Sequence, residues 1–225
     1  MLLNEKSNRI YYESLKDDEK DILRKSCTRY IKSEPSPGIF DQVYELCCTC
    51  SISIHKTEVT DSLIDLMDHL IQIKNSVNFR ETDISMKDVE LVSRSMDMNI
   101  KIKYEDIDTK ILVDAFILYI RTYFGYFVDE EIMILLIICY TNSDTKKRTE
   151  IVNRIPFVMS AQYRLFFIKL KSLVGADHLN LKNISANLIK CKRREIEINE
   201  DICCDVLNGI LISDFMEVPE SYFNL

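Results

Sequence analysis

Glycine and proline are scarce in this chain, with four of each among 225 residues. A β-sandwich or barrel reverses direction every few residues and draws on those two residue types to do it. Their scarcity therefore excludes such folds and points to helices. A long apolar run is also missing: the longest, at 132–139, falls far short of the roughly 20 residues that cross a bilayer, so no transmembrane segment is expected. There is no basic excess either. The formal net charge is −7 and the pI is about 5.1, which argues against a binder of nucleic-acid phosphates. No P-loop or G-x-G-x-x-G occurs, and four scattered glycines cannot assemble one, so no nucleotide site of the chain's own is expected. The start, Met-Leu-Leu-Asn-Glu-Lys-Ser-Asn-Arg, does not read as a secretory leader, and a cytoplasmic location is expected.

In a reducing compartment the eight cysteines read as free thiols that act as small buried hydrophobes. Cys47-Cys48-Thr49-Cys50 contains one C-x-x-C spacing, but a second, needed for a four-cysteine zinc set, is absent. His55, His69 and His178 lie far apart and in no ligand spacing, so neither a metal nor another cofactor is expected. Lys190, Lys192, Arg193 and Arg194 are followed by Glu195 and Glu197. That cluster reads as a solvated mixed-charge face, with an anion or membrane site as the alternative.

What the chain does have is hydrophobic content, 47% of its residues, in helical spacing. Pro35 and Pro37 with Gly38 form a breaker that separates an N-terminal helical extension and linker, 1–37, from a main domain, 38–225. The periodicity predicts helices over about 17–31, 59–73, 85–96, 107–124, 129–140, 145–154, 160–174, 179–190 and 200–215. The second of these is expected to be capped by Thr57. The fold class is thus all-α, a bundle of about nine helices. Apolar residues surround the 107–124 helix, which assigns it to the middle of the bundle. Arg121 near its end then needs a partner or a route to solvent.

Val77-Asn78-Phe79-Arg80-Glu81-Thr82-Asp83, between two predicted helices, resembles the finger loop of RhoGAP domains, approximately G-I-F-R-x-S-G. Further matches follow in order. The segment 38–46 is similar to the family's opening F-G-V-P-L-x-x-L, and 113–127 to L-L-K-x-F-L-R-E-L-P-x-P-L, with Arg121 on the arginine. Ile155-Pro156 is similar to the L-P before the next core helix, and 179–185 to M-T-x-x-N-L-A, with Asn183 on the asparagine. Ile117 stands where the family has lysine, Asp83 where it has glycine, and the prolines of L-P-x-P are absent from 123–126.

The resemblance implies a RhoGAP-like helical bundle that docks on a Rho-family small GTPase in its GTP-bound state and stimulates hydrolysis in trans. Arg80 would be the catalytic arginine finger, and Arg121 and Asn183 would contact the partner. Read as residues alone, Arg121 is equally a structural ion pair and Asn183 equally a helix-start cap. Two other functions stay open: a degenerate module of this kind that binds a GTPase or another protein without stimulating it, and an unrelated helical scaffold.

Overall fold

The computed structural model describes residues 9–33, 59–73, 86–141, 145–175, 178–189 and 199–223. Among them are nine helices of eight or more residues and one of four, so the chain is all-α. In order these are α1 (Asp17–Ser33), α2 (Asp61–Gln72), α3 (Met86–Asp97), α4 (Thr109–Thr122), α5 (Glu130–Thr141), α6 (Thr145–Val152), α7 (Ile155–Val158), α8 (Ala161–Val174), α9 (His178–Leu188) and α10 (Glu200–Ile212). Two short strands, β1 (Arg9–Tyr11) and β2 (Glu217–Pro219), pair antiparallel with Ile10 opposite Val218. The boundary expected at 37–38 and the Thr57 cap lie outside the described residues. Thr60 caps α2 instead, its hydroxyl accepting a hydrogen bond from the Leu63 amide at 3.3 Å.

The helix buried on every side is α5, where Ile132 through Ile137 are all buried. The 107–124 segment was expected in that role. In the structure α4 buries Leu112, Val113, Ala115, Phe116, Tyr119 and Ile120, while Ile111, Ile117 and Leu118 remain half-exposed. Sequence pattern overstates its burial because apolar residues ring the helix, whereas Ile111, Ile117 and Leu118 are only partly covered where they pack against the core. Around α5 the main core draws on α2, α4, α8 and α10, and its largest fully buried side chains include Tyr119, Phe116, Phe166 and Phe167.

Two predicted helices end differently. The 145–154 helix stops at Val152, and α7 restarts at Ile155 with Pro156 in its first turn, where the missing proline amide costs no helical hydrogen bond. The 200–215 helix stops at Ile212. The Asp214 carboxylate then accepts from the amides of Met216 (3.0 Å) and Glu217 (3.1 Å), an aspartate turn that launches β2 in place of another helical turn.

The chain ends meet in a second, smaller cluster formed by Leu15, Leu23, Cys27, Phe157, Val218 and Tyr222. Ser26 Oγ donates to the Tyr222 carbonyl at 2.6 Å. Two buried arginines reach into this seam from the bundle. The Arg154 guanidinium lies between the rings of Tyr30 and Tyr222, 3.6 and 4.1 Å from their centroids, and donates to the Glu150 carbonyl at 2.8 Å. The Arg164 guanidinium lies 3.4 Å from the Tyr12 centroid and 5.0 Å from that of Phe157, and donates to the carbonyls of Pro156 and Phe215. Burial pushes the Arg164 pKa down from its ordinary value. The aromatic faces and carbonyls supply the negative potential that a buried cation otherwise takes from water.

Candidate functional site

The site is built where α3 meets α4, the most closely packed helix pair of the bundle along with α9 and α10. Their connection is held by one residue, Asn99, in the left-handed backbone conformation (φ 53°). Asparagine tolerates this conformation where most side chains clash with the backbone, and it lets the amides after α3 fold back, with Ile100 N donating to the Ser95 carbonyl at 2.9 Å. The Asn99 side-chain oxygen then accepts from the Ser62 amide at 3.0 Å and the Ser62 hydroxyl at 3.1 Å. Tyr104 Oη donates to the Ser62 carbonyl at 2.7 Å, and burial pushes this phenol up to about 12. The start of α2 is thereby tied to the α3–α4 connection.

Between α3 and the end of α4 lies an open groove of about 730 Å³, lined among others by Lys87, Leu91, Arg94, Asp97, Leu118 and Tyr123. Leu91 is 66% exposed on α3, so an apolar contact is offered to solvent within a rim of both charge signs. Arg121 is exposed in the last turn of α4, where a cation is favoured by the carbonyl end of the helix dipole. The turn after it is anchored by aromatics: Phe124 packs on Phe166 at 4.5 Å and edge-on to Tyr163 at 5.3 Å, and Phe127 lies 4.8 Å from Phe167. Buried rings thus hold the stretch in which the RhoGAP pattern has prolines.

Asn183 is exposed in the middle of α9, and its carbonyl accepts from Asn187 Nδ2 at 3.0 Å. A helix-start cap is therefore ruled out, since five helical residues precede it. Leu181, Ile184, Ser185 and Leu188 are buried on α9, and that helix packs against both α10 and α4. Lys182 bridges to Asp201 at 3.4 Å and Glu200 at 3.5 Å across the α9–α10 contact; the hydrogen bond to Asp201 is the main reason its pKa is raised. Arg121 and Asn183 thus stand exposed on two helices in mutual contact. Arg80 lies outside the described residues, in the segment that joins α2 to α3.

The buried arginines were missed at the sequence level. Arg164 sits beside the apolar stripe formed by Tyr163, Phe167, Leu170 and Val174, a position that signals a cation held inside by its neighbours. Among the described residues no helix is long and apolar enough to cross a membrane, and no cluster of histidine, cysteine, aspartate or glutamate could hold a metal ion.

Fold and groove together define an all-helical bundle with an open, amphipathic surface cleft. No protein-family model matches the chain, and comparison with curated proteins gives no significant match.

Proposed function

We propose that this protein is a divergent RhoGAP-like GTPase-activating protein that docks on a Rho-family small GTPase and inserts Arg80 beside the bound GTP. One observation carries this reading: α4, which holds Arg121 in its last turn, packs against α3, the helix that follows the Arg80 segment, and against α9, which holds Asn183. Three motif pieces separated by about a hundred residues in sequence are thus borne on, or joined directly to, neighbouring helices. Accidental motif matches have no reason to fall that way. A guanidinium fork donates hydrogen bonds to phosphoryl oxygens as negative charge grows on them in the transition state. In GTPases such a finger is worth roughly 10³ to 10⁵ in rate. The partner carries the nucleotide, and the chain supplies the donor and the surface that orients it.

A single-turnover assay with GTP-loaded Rho-type GTPases of the source organism tests the reading. The wild-type chain should accelerate hydrolysis, and Arg80→Ala should remove most of that acceleration with an unchanged far-ultraviolet spectrum. Lack of acceleration of every such GTPase would overturn it.

A second reading, binding without stimulation, is favoured by Ile117. This residue is half-exposed one helical turn before Arg121, so the two share a face of α4, and that face lacks the cation the RhoGAP pattern places there. Under this reading Arg80→Ala retains the GTPase in a pull-down as well as wild type does, and hydrolysis is unchanged by both. Ile117→Lys separates the two readings further, because restoring the cation should raise the hydrolysis rate only where a finger is already at work.

A further inference from the structure

Along the solvent side of α3 run Lys87, Glu90 and Arg94, all exposed, and Asp97, half-exposed. All four line the groove against α4. The buried residues of α3 are Val89, Val92, Ser93 and Met96, so the charged row lies across the helix from the core and keeps helical spacing. Its signs alternate, plus, minus, plus, minus, at steps of three, four and three residues. Taken from the other end, the row is its own complement. Among the described residues Lys87, Glu90 and Arg94 form no ion pair and no side-chain hydrogen bond, so their charges are available to a partner. Leu91, 66% exposed, stands beside the centre of the row, and Met98, 53% exposed, lies just beyond its end. Asp88 falls outside the row, about 100° round the helix from Lys87.

We propose that α3 is a self-association helix, which pairs antiparallel with α3 of a second copy of this chain about a two-fold axis level with Val92. The inference does not depend on the GTPase reading. In that register Lys87 stands opposite Asp97 of the partner subunit and Glu90 opposite Arg94 of the partner subunit, and the two-fold axis repeats both pairs. Every charge of the row then faces one of opposite sign. A parallel pairing would set each charge against its own kind, so charge alone fixes the direction. Leu91 is one residue from the axis, which brings the two copies of Leu91 to within about 3 Å of the same level along the helices. Their contact removes apolar surface from water in the midst of the charges, and Met98 lies along the aliphatic stem of the partner's Lys87. The row is neutral in sum, which favours a copy of itself over a partner of one charge sign. One helix from each protomer makes a small interface, so the dimer is weak, with a dissociation constant on the order of 10 µM.

The test is sedimentation velocity of the full chain over about 1–200 µM, at about 0.1 M and about 0.5 M salt. Wild type should pass from monomer to dimer with rising concentration, and its dissociation constant should increase several-fold at the higher salt. Arg94→Glu alone and Glu90→Arg alone should each raise that constant about tenfold or more, because two attractive pairs per dimer become repulsive. Their thermal melts should match wild type, since both side chains are exposed. An equimolar mixture of the two variants should dimerise about as well as wild type, because each supplies the charge that the other lacks. The double variant Glu90→Arg, Arg94→Glu should do so by itself. Leu91→Ser should weaken the dimer several-fold and leave its salt dependence intact. A chain that stays monomeric throughout the range, single charge reversals that leave the dimer as tight as wild type, or a mixture that remains monomeric would each overturn the proposal.

Discussion

The main core and the seam between the chain ends do the same job by different physics. In the core, α5 presents six consecutive buried aliphatic side chains, and Phe116, Phe124, Phe166 and Phe167 form a continuous aromatic group beside it. Its stability comes from apolar area removed from water, which is roughly additive and without direction. The seam has little such area. It is closed by β1 and β2 and by two guanidiniums, each lodged against aromatic rings and donating to main-chain carbonyls. Here the contribution is directional, and a partner lost on one side leaves a buried polar group exposed to nothing. The core should therefore lose stability in proportion to the volume removed, whereas the seam should respond to chemistry.

Phe166→Ala should give the largest loss, about 3–5 kcal/mol, because Phe166 is fully buried and contacts three other rings. Denaturant unfolding followed by far-ultraviolet circular dichroism measures it. Arg164→Ala should follow, at about 2–3 kcal/mol, since it strands the Pro156 and Phe215 carbonyls. Arg164→Lys should recover little of this, because an ammonium cannot lie flat on Tyr12 while reaching both carbonyls. Full recovery by lysine would mean that charge alone matters in the seam, and the contrast between the two regions would fail.

Gly209→Ala probes the α5–α10 contact with a smaller effect, about 1–2 kcal/mol. A Cβ there would run into Tyr140 Oη and fall 3.0 Å from its Cζ, so the ring must move. Adding Tyr140→Phe should restore most of the loss, and a double variant no better than the single one would place the clash elsewhere.

The mildest probe is alkaline pH. Burial pushes the Cys27 thiol up from 9.0 to about 12 and the Tyr104 and Tyr140 phenols up from 10.0 to about 12. The folded state holds these protons more tightly than the unfolded chain does. Their contribution is therefore complete below pH 9 and lost as pH rises towards 12. The denaturation midpoint should stay level near neutral pH and fall above about 9. Burial also raises the Cys203 thiol, from 9.0 to about 11, and the Cys204 thiol, so Cys27→Ala should lessen the fall that begins above pH 9 without moving its onset, and an unchanged fall would show that the seam thiol does not contribute.

Much of the helical order could be read from spacing alone. The limits of α1, α3, α8 and the start of α10 fall within two residues of the expected ones. Asp61 to Gln72 forms the expected amphipathic helix under a different cap, Thr60. Motif order placed Arg121 and Asn183 on helices, but spacing could not tell a mid-helix asparagine from a cap, because both positions follow leucine and lysine with equal ease. The strands escaped notice because three-residue segments carry no period, and their pairing joins residues far apart in the chain, such as Arg9 and Pro219. Arg154 and Arg164 escaped because a charge in sequence reads as surface until its aromatic partners, drawn from both chain ends, are brought around it.

By itself the sequence determined the helical class, since four glycines and four prolines cannot supply the turns of a β fold, and it determined where most helices run, since burial at a period of 3.6 is a local property. Only the tertiary structure decided which helix is fully enclosed and that the chain ends are joined through buried cations. Those outcomes depend on which distant residues become neighbours, and a linear pattern carries the strength of each side chain but not the identity of what it meets.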